Sequence, residues 1–313
     1  MTWILVALAG YFFNAVAALF DKFLLSDGRI GSPALYAFYT SLVSLFAIVL
    51  LPFGFVFLIP KAVFLGFFSG FLFLLGLVAF YEAVKRSEVS RAAPLVGVAV
   101  VSFLFLVSLL LGLSSGNLFH VTDVLALGLL IAGSFALAKH SGVKRDPQFV
   151  RYVLVAGALM AASLIVLKET YALSNFASGF VWSRIGMFLT GMSFLLFPFF
   201  REQLFSGAKQ HTKPTKRNAG TAMFFFLNKA FGGAGAFLIA YAVSLGPVTF
   251  IQGLNGTQFA FLFLFVVPLS IRYPHIFGER LDRAGIVEKV FGILLLALGV
   301  FLAASSGSLK GFL

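Results

Sequence analysis

The chain has 313 residues, of which 60% are hydrophobic and only 11% charged, with a mean hydropathy of +1.03. Soluble domains carry about 25% charge, so this composition excludes an ordinary soluble protein and points to an all-α polytopic membrane protein. The formal net charge of +12 invites a nucleic-acid reading, which the placement of the charges argues against, and the absence of Cys excludes disulfides and thiolate metal sites.

A span needs about 20 apolar residues, and ten segments meet or approach that length: 2–25, 33–58, 62–85, 92–113, 122–139, 150–173, 176–200, 219–245, 248–270 and 286–305. They are continuously apolar rather than alternating, so helices are expected and a β-barrel is not. The opening MTWILVALAG has no basic run before it, so the first segment is expected to stay as a helix rather than be removed as a signal. The 42 Phe are expected to face lipid.

Polar residues inside these spans are the candidates for function. The first segment carries Tyr11, Asn14 and Asp21 on one helical face, with Lys22 beside them. Asn14 serves either a cavity or an interhelical contact. Tyr81 and Glu82 lie toward the end of the third segment. Lys168 and Glu169 close the sixth, and Arg184 follows in the seventh, where Glu169 is its expected partner. In the eighth, Asn228 and Lys229 precede Gly232, Gly233 and Gly235. Lys229 would lie roughly 15 Å deep at 1.5 Å per residue. It is either a cavity cation for an anionic group or a snorkelling lysine.

The ninth segment opens GPVTFIQGLNGTQ, with Thr249, Gln252, Asn255 and Gln258 three apart. Thr249 and Gln252 match a T-x-x-Q capping box, so Gln252 is expected either to close a helix start or to line a cavity. Asn255 lies beyond any cap. The candidate cavity set is therefore Lys229, Asn228, Asn14, Tyr11, Asn255, Gln252 and Tyr81. The gate or ion-pair candidates are Lys168, Glu169, Arg184, Asp21 and Lys22.

Of the 23 Lys and Arg, all but five lie in or beside the connections after segments 1, 3, 5, 7 and 9. The exceptions are Lys61 and Lys310 on the other side, and Lys168, Arg184 and Lys229 within spans. By the positive-inside rule this places the odd connections in the cytoplasm and both termini outside. The basic excess is then a topology signal, and no nucleic-acid partner is expected. Trp3 and Trp182 fall near the outer interface, as belt residues do. The segment REQLFSGAKQHTKPTKRN (201–218) reads as a cytoplasmic linker.

The chain also repeats itself. FDKFLLSDGRIGSPALYAFYTSLVSLFAIVLLPF (20–53) resembles LKETYALSNFASGFVWSRIGMFLTGMSFLLFPF (167–199), bringing Pro52 onto Pro198. AFYEAVKRSEVSRAAPLVG (79–97) resembles AYAVSLGPVTFIQGLNG (240–256), with Ala83-Val84 on Ala242-Val243. GLLIAGSFALA (128–138) weakly resembles GILLLALGVFLAA (292–304). Segments 1–5 and 6–10 therefore read as two copies, over 1–140 and 146–313. Because five is odd, the copies would cross the membrane in opposite senses, the inverted repeat of secondary transporters.

With LFDKFLL (19–25), YEAVKRSEVSRAAP (81–94), YAVSLGPVTFIQGLNGTQ (241–258) and FGERL (277–281), the chain resembles the EamA family of the drug/metabolite transporter superfamily over essentially its whole length. It departs from that family at LGLSSGNLF (111–119), where members often carry an acidic LGE-like motif, and in placing its termini outside. The resemblance implies ten helices and a central cavity bounded by helices 1, 3, 4, 6, 8 and 9, with helices 5 and 10 peripheral. It also implies export of amino acids, metabolites or drugs, or movement of nucleotide sugars or lipid-linked sugars.

His120, His140, His211 and His275 show no metal-ligand spacing, and no nucleophile elbow, P-loop or dinucleotide motif is present. No enzymatic activity and no cofactor are expected. The sequence thus leads to a multi-pass plasma-membrane exporter of a small anionic or zwitterionic metabolite. A lipid-linked sugar flippase and a non-transporting scaffold or sensor are the alternatives.

Overall fold

The computed structural model describes residues 2–25, 33–56, 59–86, 89–115, 121–138, 146–198, 200–202, 219–272 and 283–305, and these are helical nearly throughout. The helices are α1 (Thr2–Leu25), α2 (Pro33–Ser44), α3 (Pro60–Arg86), α4 (Val89–Ser115), α5 (Val121–Ala138), α6 (Pro147–Ala172) and α7 (Phe176–Ser193), then α8 (Ala219–Leu245), α9 (Val248–Gly253), α10 (Asn255–Arg272) and α11 (Arg283–Ser305). Among the described residues six stretches are long and apolar enough to cross a membrane: Thr2–Phe20, Pro60–Arg86, Pro147–Ala172, Phe176–Leu196, Phe226–Leu245 and Val248–Val266. Four shorter apolar helices accompany them: Ala37–Leu50, Ala92–Ser108, Val121–Ala136 and Val290–Leu302. This is the make-up of a multi-pass membrane protein. The linker 201–218 lies outside the described residues apart from its first two, and the four His lie wholly outside them.

Two expected helices are interrupted. The segment 33–58 is helical only to Ser44 and continues as a 3-10 turn, Leu45–Leu50. Ser41 Oγ donates to the Phe38 carbonyl (2.7 Å) and Ser44 Oγ to the Ser41 carbonyl (2.6 Å). Hydroxyls that occupy helical carbonyls in this way bend and tighten the last turn. Gly54, at φ 93°, then turns the chain through a conformation that favours glycine. α7 ends in the same manner: Ser193 Oγ donates to the Thr190 carbonyl (2.7 Å) and a 3-10 turn, Phe194–Leu196, follows. The second interruption divides 248–270 at Leu254, between α9 and α10.

Contacts group the helices into two compact units. The first takes Met1–Arg29, Phe105–Ser141 and Thr215–Phe312, and so holds α1, the end of α4, α5 and α8 to α11. The second takes Ile30–Leu104 and Gly142–Pro214, and so holds α2, α3, the start of α4, α6 and α7. Each unit draws on both halves of the sequence.

In the first unit α1 packs along α8 and α5 along α11. A Cβ built on Gly10 would come within 2.8 Å of the Ile239 side chain, and one on Gly235 within 2.9 Å of the Gly10 carbonyl oxygen. Without lipid-to-water transfer to drive them together, such helices gain from close backbone approach, which glycine permits. Gly133 and Gly299 do the same for α5 and α11, against Leu296 and Leu130.

In the second unit α3 packs along α6 and α7. Gly76 meets Met160 of α6, and Gly157 meets Ala99 and Val100 of α4. Ser69 and Ser163 lock the α3–α6 seam reciprocally, each hydroxyl donating to the other's carbonyl (3.0 and 2.9 Å). Gly70 and Gly186 bring α3 onto α7, where a Cβ on Gly70 would lie 2.9 Å from the Gly186 carbonyl carbon. The start of α6 is fixed by Asp146, whose carboxylate accepts from the Gln148 N–H (2.9 Å), with Pro147 in the first turn. Asn175 caps α7 through the Ser178 N–H (2.8 Å).

Candidate functional site

Six of the seven cavity candidates, Lys229, Asn228, Asn14, Tyr11, Asn255 and Gln252, lie on helices of the first unit, and Tyr81 lies in the second. Tyr11 is only 2% exposed, and its hydroxyl donates to the Ile251 carbonyl (2.9 Å) in the last turn of α9. It is therefore a tether between α1 and α9. Asn14, one turn along α1, is half-buried against Gly235 of α8. Asn228 is buried, at 3% exposure, and Lys229 beside it is half-buried. The α1–α8 seam around them is aromatic: Phe231 stacks on both Phe13 (5.8 Å) and Phe20 (5.9 Å).

The stretch GPVTFIQGLNGTQ is organised by its break. Pro247 occupies the position before α9, with no side-chain cap. Thr249 lies inside the helix rather than at its start. It is 1% exposed and hydrogen-bonded to Ser108 of α4 (2.9 Å). The expected capping box is thus not formed: Pro247 supplies the start, so the Thr249 hydroxyl is available for an interhelical bond. At the break, the Leu254 carbonyl accepts from the N–H (2.8 Å) and the hydroxyl (2.6 Å) of Thr257. Gly253 and Gly256 seat the broken segment on Leu130 and Ser134 of α5 and Leu296 of α11. Gln252, Asn255 and Gln258 stay partly exposed on either side of the break. Broken helices at membrane depth are tolerated where they are buried in protein or line a cavity, and in transporters they carry the substrate site.

Tyr81 packs against the apolar cluster of Leu35, Ala37, Leu74, Met187 and Phe194 in the second unit. Of the gate candidates, α1 runs through Asp21 and Lys22, but their side chains lie outside the described residues. Lys168 is half-buried and Glu169 is exposed.

Arg184 does not take the expected Glu169 as partner. Its guanidinium lies 4.6 Å from the Phe180 ring centroid and 5.6 Å from that of Phe73, and donates to Met187 Sδ (3.7 Å). Among the described residues it meets rings and a thioether, and no carboxylate. Its backbone carbonyl accepts from Ser44 Oγ (3.1 Å), which ties α2 to α7. Trp182, two residues earlier, packs on Phe67 (5.3 Å), and its indole N–H is buried with no hydrogen-bond partner among the described residues. Arg86 pairs with Asp146 (3.9 Å) at the α3 end, beside the Tyr152 ring.

No family model and no curated protein matches the chain. Seventeen solved chains resemble it in structure. One, described as "Crystal structure of protein", superimposes with a TM-score of 0.67 over 97% of this chain and 99% of its own, at 14% sequence identity. At that identity the likeness speaks for a shared fold alone.

Sequence reasoning missed the Ser69–Ser163 and Ser108–Thr249 bonds, because single hydroxyls in apolar runs carry no pattern. It also missed the aromatic cage of Arg184. Phe73 and Phe180 read as lipid-facing like other Phe, although the cation within the span was a signal that something nearby must answer it.

Proposed function

We propose that this protein is a secondary transporter of a small anionic or zwitterionic metabolite, a member of the EamA-like group, working by alternating access. In this reading ten helices cross the plasma membrane as two inverted five-helix repeats, 1–140 and 146–313, with both termini outside. The observation that carries it is a recurrence of packing. Extended without gaps, the alignment that sets Ala83-Val84 on Ala242-Val243 also sets Gly76 on Gly235. Gly76 is where α3 meets α6, and Gly235 is where α8 meets α1. Gly10 of α1 falls on Gly157 of α6, and both are close-approach points, Gly10 against α8 and Gly157 against α4. An α3–α6 seam in one unit and an α1–α8 seam in the other each join the two halves of the chain, which supports the repeat reading. Two related bundles of this kind can move against each other as bodies.

The solute path would be lined by Gln252 and Asn255 at the helix break, with Asn14, Asn228 and Lys229 on the adjoining seam. The membrane-embedded cations Lys168, Arg184 and Lys229 favour a carboxylate or phosphate on the substrate. The test is flux in proteoliposomes containing the purified chain, loaded with mixed carboxylates and phosphate esters. Movement above protein-free liposomes is expected. Folded protein that moves no solute under any gradient overturns the reading, and movement of a lipid-linked sugar alone would favour a flippase.

A further inference from the structure

We propose that Arg184 and Tyr171 form a binding point for the oxyanion of a small ligand, a carboxylate or a phosphate, inside the second unit. Arg184 presents five N–H donors in a planar fork, and the structure answers them with a thioether and two ring faces. Ring faces offset the charge in part but cannot accept from the in-plane N–H groups, which a planar oxyanion would. Tyr171, at the end of α6, is buried, and its hydroxyl has no hydrogen-bond partner among the described residues. Buried polar groups are nearly always satisfied, so an orphaned one calls for an occupant.

One aromatic row connects the two groups. The Tyr171 ring packs on Phe176 (5.5 Å), which packs on Phe180 (5.5 Å), the ring beneath Arg184. Gly179 admits the Tyr171 ring, since a Cβ there would lie 2.7 Å from it. The neighbouring hydroxyls are already engaged: Thr170 donates to Val166 (2.8 Å), Ser174 to Thr170 (2.6 Å) and Ser183 to Phe180 (2.8 Å). What remains is a fork of donors and one more donor hydroxyl, in surroundings that strengthen charge-assisted hydrogen bonds. That set matches a planar carboxylate or a phosphate face, and it repels a cation.

The inference rests on the transport reading only for the ligand's being cargo; binding is testable without transport. The chain has two Trp, so Trp3→Phe leaves Trp182, two residues from Arg184, as a single fluorescent reporter. In nanodiscs of zwitterionic lipid, titration with inorganic phosphate or succinate at constant ionic strength should give a saturable Trp182 response. Arg184→Gln should weaken binding at least tenfold, and Tyr171→Phe about three- to tenfold. Arg184→Lys should fall between wild type and Arg184→Gln, because the charge remains and the fork is lost. If Arg184→Gln does not fold, Tyr171→Phe, which removes a single oxygen, carries the test.

A response abolished by adding phosphatidylglycerol to the nanodiscs would support the site and assign its oxyanion to a lipid headgroup. No saturable response to either anion, or one that both substitutions leave unchanged, overturns the proposal. Flux without anion binding removes this site and leaves the transport reading. Binding without flux does the reverse.

Discussion

The α3–α6 seam and the α1–α8 seam share a plan and differ in what they carry. Both close at a matched glycine, Gly76 in one and Gly235 in the other. Earlier along the helix they part. The ungapped alignment sets Ser69 on Asn228 and Gly70 on Lys229. In the second unit Ser69 is locked to Ser163, and Gly70 is pressed onto the backbone of α7 with no room for a side chain. In the first unit the same two places hold a buried amide and a half-buried cation. One seam is a tight joint, and the other holds an amide and a cation at the aligned positions.

The largest effect should come from filling the tight joint. Gly70→Leu would drive a side chain into the α7 backbone and should cost about 3 kcal/mol or more, seen as loss of monodisperse, cooperatively melting protein. Gly233→Ala, where a Cβ meets nothing within 4 Å, should change nothing. Equal tolerance of both would break the comparison.

On the other side of it, Lys229→Met should cut proteoliposome flux at least tenfold while leaving the melting temperature within a few degrees. A melting temperature that collapses along with flux would make Lys229 structural and erase the contrast between the seams.

Smaller effects sharpen the account. Tyr11→Phe should cost about 1 kcal/mol through loss of the bond to Ile251, with flux little changed, because the hydroxyl tethers helices rather than facing solute. Ser69→Ala and Ser163→Ala should each cost about 0.6 kcal/mol. The double substitution should cost less than their sum, since the two residues share one reciprocal bond. A simple sum in thermal melts would mean the two hydroxyls act separately.

Much of the fold could be read from the sequence, because a lipid-exposed backbone must be helical and hydrophobic runs mark where it is. α3 at Pro60–Arg86 and α6 at Pro147–Ala172 fall within a few residues of expectation. The interruptions at Ser44 and Leu254 did not show, because they go with hydroxyl-to-carbonyl bonds of Ser41, Ser44 and Thr257 that no residue spacing announces. Thr249 misled for a related reason: its partner, Ser108, is far away in sequence. Among the site residues, intramembrane Lys229, Arg184 and Asn14 could be picked out by cost alone. Their surroundings could not, because Gly235 opposite Asn14 and Phe180 beneath Arg184 are set by tertiary packing.

The central claim is that the broken ninth segment lines a path opened to each side of the membrane in turn. The chain has no Cys, so Gln252→Cys and Asn255→Cys can be labelled in oriented vesicles with membrane-impermeant thiol reagents and no background. The account predicts labelling of both positions from either side, with the two rates shifting in opposite directions when a solute gradient is imposed. Positions that stay unlabelled, or that react from one side only under every gradient, would contradict it.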